Sequence, residues 1–235
     1  MRYIPNLITC LNLFAGCMAC VMALKFDNYI GAFTFIALAS IFDFLDGFAA
    51  RLLKAYSKIG AELDSLADVV SFGLAPGCVI YSYISQLTVG TSLAFSLPFI
   101  AFLLPVFAAL RLAKFNIDTR QTTSFLGLPV PACGLFWASF IPSIPTVLPF
   151  VHSNPILAIA TILVLLIAFC LLMVSEIPMF SLKFKHYGWK DNERPYTLII
   201  LSGLFVAVFL LFGISLAICC YILLSLIKTT NGEAQ

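Results

Sequence analysis

The chain has 235 residues, of which 62% are hydrophobic and 10% charged, and a formal net charge of +2. A mean hydropathy of +1.06 excludes an ordinary water-soluble domain and describes an integral membrane protein. So small a net charge, scattered among apolar runs, is no nucleic-acid footprint, and no polar run is long enough to fold as a separate soluble domain.

A spanning helix needs roughly 20 apolar residues. The hydropathy pattern predicts spans at 7–24, 29–53, 61–85, 93–115, 129–149 and 155–175. Residues 196–228 form one further apolar run, long for one span and short for two. It reads as a hairpin turning near Gly213, or as one long tilted helix. The expected fold is an all-α polytopic bundle of about eight spans. Its parts are a transmembrane core over 1–180, a basic loop over 181–195, the hairpin over 196–228 and a polar tail over 229–235. The first apolar stretch lacks a convincing small-residue cleavage site, so no cleavable signal peptide is expected.

Charge asymmetry orients the bundle. With Arg2 inside, Arg51, Lys54, Lys58, Arg111, Lys114, Arg120, Lys183, Lys185, Lys190 and Arg194 all fall on the cytoplasmic side. Lys25 lies outside, and with eight spans Lys228 joins the inner set. The eight cysteines sit in apolar segments. Cys17 and Cys20 form a CxxC with no partner pair, so buried packing is expected rather than metal or redox use.

In the first span Pro5 can begin the helix. Asn6 and Thr9, spaced i,i+3, put polar groups on an otherwise apolar stretch, as an interfacial cap or as ligand contacts. The second and third spans meet at DFLDGFAARLLKAYSKIGAELDSLAD, residues 43–68. Asp43 and Asp46 are i,i+3 on one helical face, continued by Gly47, Ala50 and Arg51. Asp64 and Asp68 are i,i+4 on the next helix, with Gly60 one turn earlier. Glu62 points off that face and reads as a solvated boundary residue. A carboxylate near a bilayer costs on the order of 3 kcal/mol unless solvated, paired or metal-bound. Four together would repel one another, so something positive must sit among them, and Mg²⁺ prefers oxygen ligands. Small residues let a bulky ligand approach, and Arg51 offers a fork for phosphate oxygens. Together these describe a site for a metal-bound diphosphate.

The pattern D-x2-D-G-x2-A-R-x8-G-x3-D-x3-D, matched at every fixed position from Asp43 to Asp68, resembles the signature of the CDP-alcohol phosphatidyltransferase family. The resemblance implies a six-helix catalytic core, a CDP-lipid donor, two divalent cations (Mg²⁺ or Mn²⁺) and a homodimer. It implies metal ligation by Asp43, Asp46, Asp64 and Asp68, with Asp68 also the base that takes the acceptor's proton. It further implies CDP-lipid contacts from Asn6, Thr9, Gly47, Ala50, Arg51, Ser57 and Gly60.

After Asp68, Ser71 lies one turn on, and Gly73 and Pro76 thin or bend the helix, which suits a wall of a polar cavity. The fourth span ends in RLAKFN, with Arg111, Lys114 and Asn116 at the motif's membrane face. These could be topology anchors or acceptor contacts. ELDSLADVVSFGLAPG, RLAKFN and GLPVP resemble the bacterial and archaeal phosphatidylserine synthase branch. Lys114 departs from the Arg usual there and loses its bidentate fork. The branch implies L-serine as acceptor, with Ser71, Arg111 and Asn116 as candidate contacts. Glycerol 3-phosphate or inositol phosphate are the alternatives; each carries a phosphate and would call for more than one well-placed Arg.

Farther on, Pro142, Pro145 and Pro149 are expected to break the outer end of the fifth span, and His152 to be solvated in an outer loop. Tyr187 and Trp189 read as interfacial anchors, and His186 in the same loop has no evident partner. A membrane prenyltransferase would separate its Asp clusters on distant helix pairs, and an ion-coupled transporter would hold acids near the midplane with internal repeats. Neither pattern is present.

Overall fold

The computed structural model describes residues 3–117, 125–180, 188 and 192–230. Arg2, Arg120, Lys183, Lys185, His186, Tyr187, Trp189, Lys190 and the 229–235 tail beyond Thr230 lie outside the described residues. The chain forms a helical bundle in which six helices are long and apolar enough to cross a membrane. They correspond in order to the first six predicted spans, with ends shifted by a few residues.

Two side-chain caps set the first turns. Helix α1, Ile4–Phe26, starts with Pro5 in its first turn and stops where Asp27 turns left-handed at φ 48°. Asn28 then caps α2, Tyr29–Leu52, by accepting from the Gly31 N–H at 2.7 Å. After a short link, Ser57 caps α3, Lys58–Asp68, by accepting from the Gly60 N–H at 3.0 Å. Each cap satisfies a donor that a helix start would leave open.

Helix α3 does not end the span. A π-helical stretch, Val69–Leu74, follows at once and runs into α4, Ala75–Leu87. Pro76 supplies no N–H, so the regular ladder cannot close across this region, and a wider turn results. The resulting rod is the most enclosed long element along with α6, each with 61% of its core window buried. Phe72, Ile80 and Ile84 from the rod meet Trp137, Phe136 and Ile141 from α6 in one apolar core.

A 3-10 segment, Leu97–Phe102, leads into α5, Leu103–Ile117. This span begins later than hydropathy suggested, because 88–96 turn through Thr88, Gly90 and Thr91. Next come α6, Val130–Val147; α7, Pro149–His152; and α8, Pro155–Val174. Pro142 and Pro145 stay inside α6, and the break falls at Leu148 instead. Both prolines lie in a helix held by dense packing, where neighbouring groups can take up the freed carbonyls. Before α6 a two-residue strand, β1 (Phe125–Leu126), pairs antiparallel with β2 (Pro178–Met179). Gly127 follows at φ +73°, and a side chain there would collide with the Met173 and Ser175 carbonyls.

The C-terminal run is two helices: α9, Glu193–Phe209, and α10, Leu211–Thr230. The turn falls at Leu210, φ 52°, three residues ahead of Gly213. Helix α10 leans on α6, where Ser139 and Ser215 hydroxyls meet at 2.7 Å in the interior. Such a bond between helices is worth about 0.6–2 kcal/mol in a membrane setting. At the end opposite the acidic motif, Ser82 donates to Asp27 Oδ1 at 2.6 Å and meets the Tyr29 hydroxyl at 3.1 Å. His152 is exposed but not merely solvated: its Nδ1 lies 3.2 Å from the Tyr83 hydroxyl. These contacts pin the α1–α2 turn and α7 to α4.

Candidate active site

The capped link between α2 and α3 turns the chain back, so the last turns of α2 and the body of α3 lie against the start of α1. One oxygen each from Asp43, Asp64 and Asp68 falls within a cluster 4.8 Å across. Asp46 stands beside them, where the Thr9 hydroxyl donates to its Oδ2 at 2.6 Å. Asp46 is 6% and Asp68 7% exposed, so these carboxylates have left bulk water.

Among the described residues no Lys or Arg forms a salt bridge with any of the four; the pair present is Lys114–Glu176 at 3.4 Å, on the surface. Asp64 Oδ1 is buried without a hydrogen-bond partner. A crowd of buried and half-buried carboxylates with an orphaned oxygen, and with no salt-bridged cation among the described residues, is a donor set suited to hard divalent ions. The residues present therefore fit the metal that the sequence pattern implies.

Alongside the cluster lies a cavity of about 220 Å³. It is lined by Asn6 and Thr9 of α1, by Asp46, Gly47 and Ala50 of α2, and by Ser57, Gly60 and Asp64 of the link and α3, among others. Asn6 packs so close to Gly60 that a Cβ there would sit 2.9 Å from its Oδ1. The proposed lipid contacts thus surround one space, except Arg51, which is exposed and does not line it. Arg51 Nη1 instead lies 3.7 Å from where a Gly47 side chain would begin. Ala55, Tyr56 and Ala61 also line the cavity and were not singled out from sequence. Glu62 is exposed, off the site, as its spacing predicts.

The candidate acceptor residues lie apart from that cavity. Ser71 is fully buried and donates to the Asn12 carbonyl at 3.0 Å, locking the π-helical stretch to α1. A side chain on Gly16 would run into Ser71, so the two helices touch at backbone distance. Asn116 is exposed and donates to Ser65 at 3.0 Å, joining the end of α5 to α3. Arg111 is 7% exposed, its Nε has no hydrogen-bond partner, and its charge acts on Asp68 and Tyr221. Its guanidinium lies 5.4 Å from the Phe115 ring centroid. Lys114, one turn on, is held by Glu176.

One polar residue escaped the sequence reading. Asn12 is 0% exposed, and its Nδ2 reaches Asp68 Oδ1 at 3.5 Å. It continues the stripe of Asn6 and Thr9 by one more turn, which is the signal that could have found it.

Chemically, a small-walled cavity adjoins the acid cluster, and Asp64 belongs to both. The family described as CDP-alcohol phosphatidyltransferase matches residues 2–224. The chain is 36% identical over 191 residues to the CDP-diacylglycerol–serine O-phosphatidyltransferase of Bacillus subtilis, covering 80% of this chain and 92% of the relative. The enzyme of the same description from Helicobacter pylori is 34% identical over 204 residues, 86% of this chain and 81% of its own. That from Methanocaldococcus jannaschii is 37% identical over 175 residues, covering 74% and 72%.

Proposed function

Because this chain belongs to the CDP-alcohol phosphatidyltransferase family, we propose that it transfers the phosphatidyl group of CDP-diacylglycerol to the hydroxyl of L-serine, releasing CMP and phosphatidylserine. The observation that carries the reading is the shared position of Asp64, at once in the wall of the cavity and in the acid cluster. A diphosphate held in that cavity meets the carboxylates with its reacting phosphorus.

Asn6, Thr9, Gly47, Ala50, Ser57 and Gly60 hold the CDP portion in the cavity, and Arg51 at its edge takes phosphate oxygens. The small side chains let the nucleotide lie against backbone. The acyl chains stay in lipid beside the exposed Tyr56 and Ile59. Thr9 fixes one oxygen of Asp46. Asp43, Asp46, Asp64 and Asp68 would hold Mg²⁺ or Mn²⁺ in a two-metal site, which would supply positive charge to offset the diphosphate and lower the pKa of the serine hydroxyl. Asp68, the last of the four acids in chain order and itself buried, takes the proton of that hydroxyl. Positioning and charge stabilisation do most of the rest.

Serine suits the acceptor side better than an alcohol bearing a phosphate. Arg111 is a buried cation whose charge acts on Asp68, whereas Lys114 is committed to Glu176. The same reading puts the site on the cytoplasmic face of the cell membrane and the enzyme in a homodimer. Purified protein given CDP-diacylglycerol and, separately, L-serine, glycerol 3-phosphate or inositol phosphate tests the acceptor. CMP release with serine alone is the expected result, and release with a phosphorylated acceptor instead overturns it.

A further inference from the structure

Among the described residues, three buried polar atoms near Asp68 have no hydrogen-bond partner: Asp64 Oδ1 and Asn12 Oδ1, both acceptors, and Arg111 Nε, a donor. Asn12 is fully enclosed, so water outside the protein does not satisfy its oxygen. Its Nδ2 is turned to Asp68 at 3.5 Å, which leaves Oδ1 as the free end of the amide. An unpaired amide oxygen in the interior is costly, and such an atom is retained where a ligand completes it. The residue does not line the donor cavity. It stands one turn beyond Thr9 on α1 with its amide against Asp68, the group that takes the acceptor's proton in the reading above. An amino-acid acceptor brings a carboxylate, which Arg111 suits, a hydroxyl, which Asp68 suits, and an ammonium, which requires an oxygen acceptor.

We infer that Asn12 Oδ1 accepts a hydrogen bond from the ammonium group of the acceptor, so that Asn12 selects an amino-bearing alcohol over one that lacks nitrogen. The inference rests on the serine reading above and adds a residue to it. Asn12 thereby touches substrate with one end of its amide and steadies Asp68 with the other.

The test compares L-serine with 3-hydroxypropanoate, which keeps the hydroxyl and carboxylate but has no ammonium. CMP release from CDP-diacylglycerol is followed with the full-length protein in detergent. In Asn12→Ala the KM for serine is expected to rise about tenfold, the loss typical of one hydrogen bond to a charged group. The preference for serine over 3-hydroxypropanoate falls by the same factor, while the Kd for CDP-diacylglycerol holds. Equal losses on both acceptors overturn the inference, because Asn12 would then act through Asp68 alone. Should Asn12→Ala fail to fold, Asn12→Ser takes its place, and a preference unchanged there is equally fatal. Wild-type protein that releases CMP with another alcohol and not with serine overturns the acceptor reading itself, and this inference with it.

Discussion

The Thr9 hydroxyl donates to Asp46 Oδ2 at 2.6 Å, across 37 positions of sequence. The same hydroxyl also lies 3.0 Å from the Pro5 carbonyl, so one proton is shared between its own helix and the acid. Thr9→Val keeps the shape and removes the donor. Hydrogen bonds to charged groups are worth about 1.5–3 kcal/mol, so the KM for CDP-diacylglycerol should rise about tenfold or more. The KM for serine should stay put. Steady-state kinetics with each substrate varied in turn checks this, and an unmoved donor KM would release Thr9 from the site.

Asp68→Asn keeps the size of the side chain and removes the proton acceptor. Turnover should fall by about 10²–10⁴, the usual share of a positioned base. Donor binding should survive, because Asp68 does not line the cavity. Single-turnover CMP release alongside a CDP-diacylglycerol binding isotherm separates the two. Near-normal turnover would take Asp68 out of the base role.

Exhaustive chelation should stop the reaction, and Mg²⁺ or Mn²⁺ should restore it. Four carboxylates without a salt-bridged cation among the described residues need an outside positive charge to hold a diphosphate. Full activity in protein shown by elemental analysis to be metal-free would end the metal-dependent reading.

Arg111→Lys keeps a positive charge but loses the fork and its unpartnered Nε. The KM for serine should rise about tenfold, again the scale of one charge-assisted bond, with the donor KM little changed. Equal effects on both substrates would mean that Arg111 holds the bundle rather than the acceptor.

Packing makes a separate prediction. A methyl on Gly16 would overlap Ser71, whereas one on Gly203 would meet nothing within 4 Å. Gly16→Ala should cost about 1–3 kcal/mol through forced separation of α1 from the rod. Gly203→Ala should be neutral or stabilising by up to about 1 kcal/mol, since it removes a flexible residue from a helix. Thermal unfolding in detergent compares them.

Sequence alone determined the membrane class, the first six spans and the acids, because hydropathy and helical spacing are local properties that each segment carries by itself. Asp43 with Asp46, and Asp64 with Asp68, could be paired from spacing, since residues three and four apart share a helical face. Asn12 escaped notice because its place on the stripe of Asn6 and Thr9 gains meaning only when the fold brings Asp68 to 3.5 Å. Pro142 and Pro145 misled in the other direction: a local rule predicts a break, and the packed helix continues through both to Val147. The tertiary structure decided that the terminal run folds back at Leu210, that Ser71 spends its hydroxyl on the Asn12 carbonyl, and that Asp64 faces cavity and cluster together. Those facts depend on which helices approach and how closely, and approach distance is set by every side chain in the interface at once.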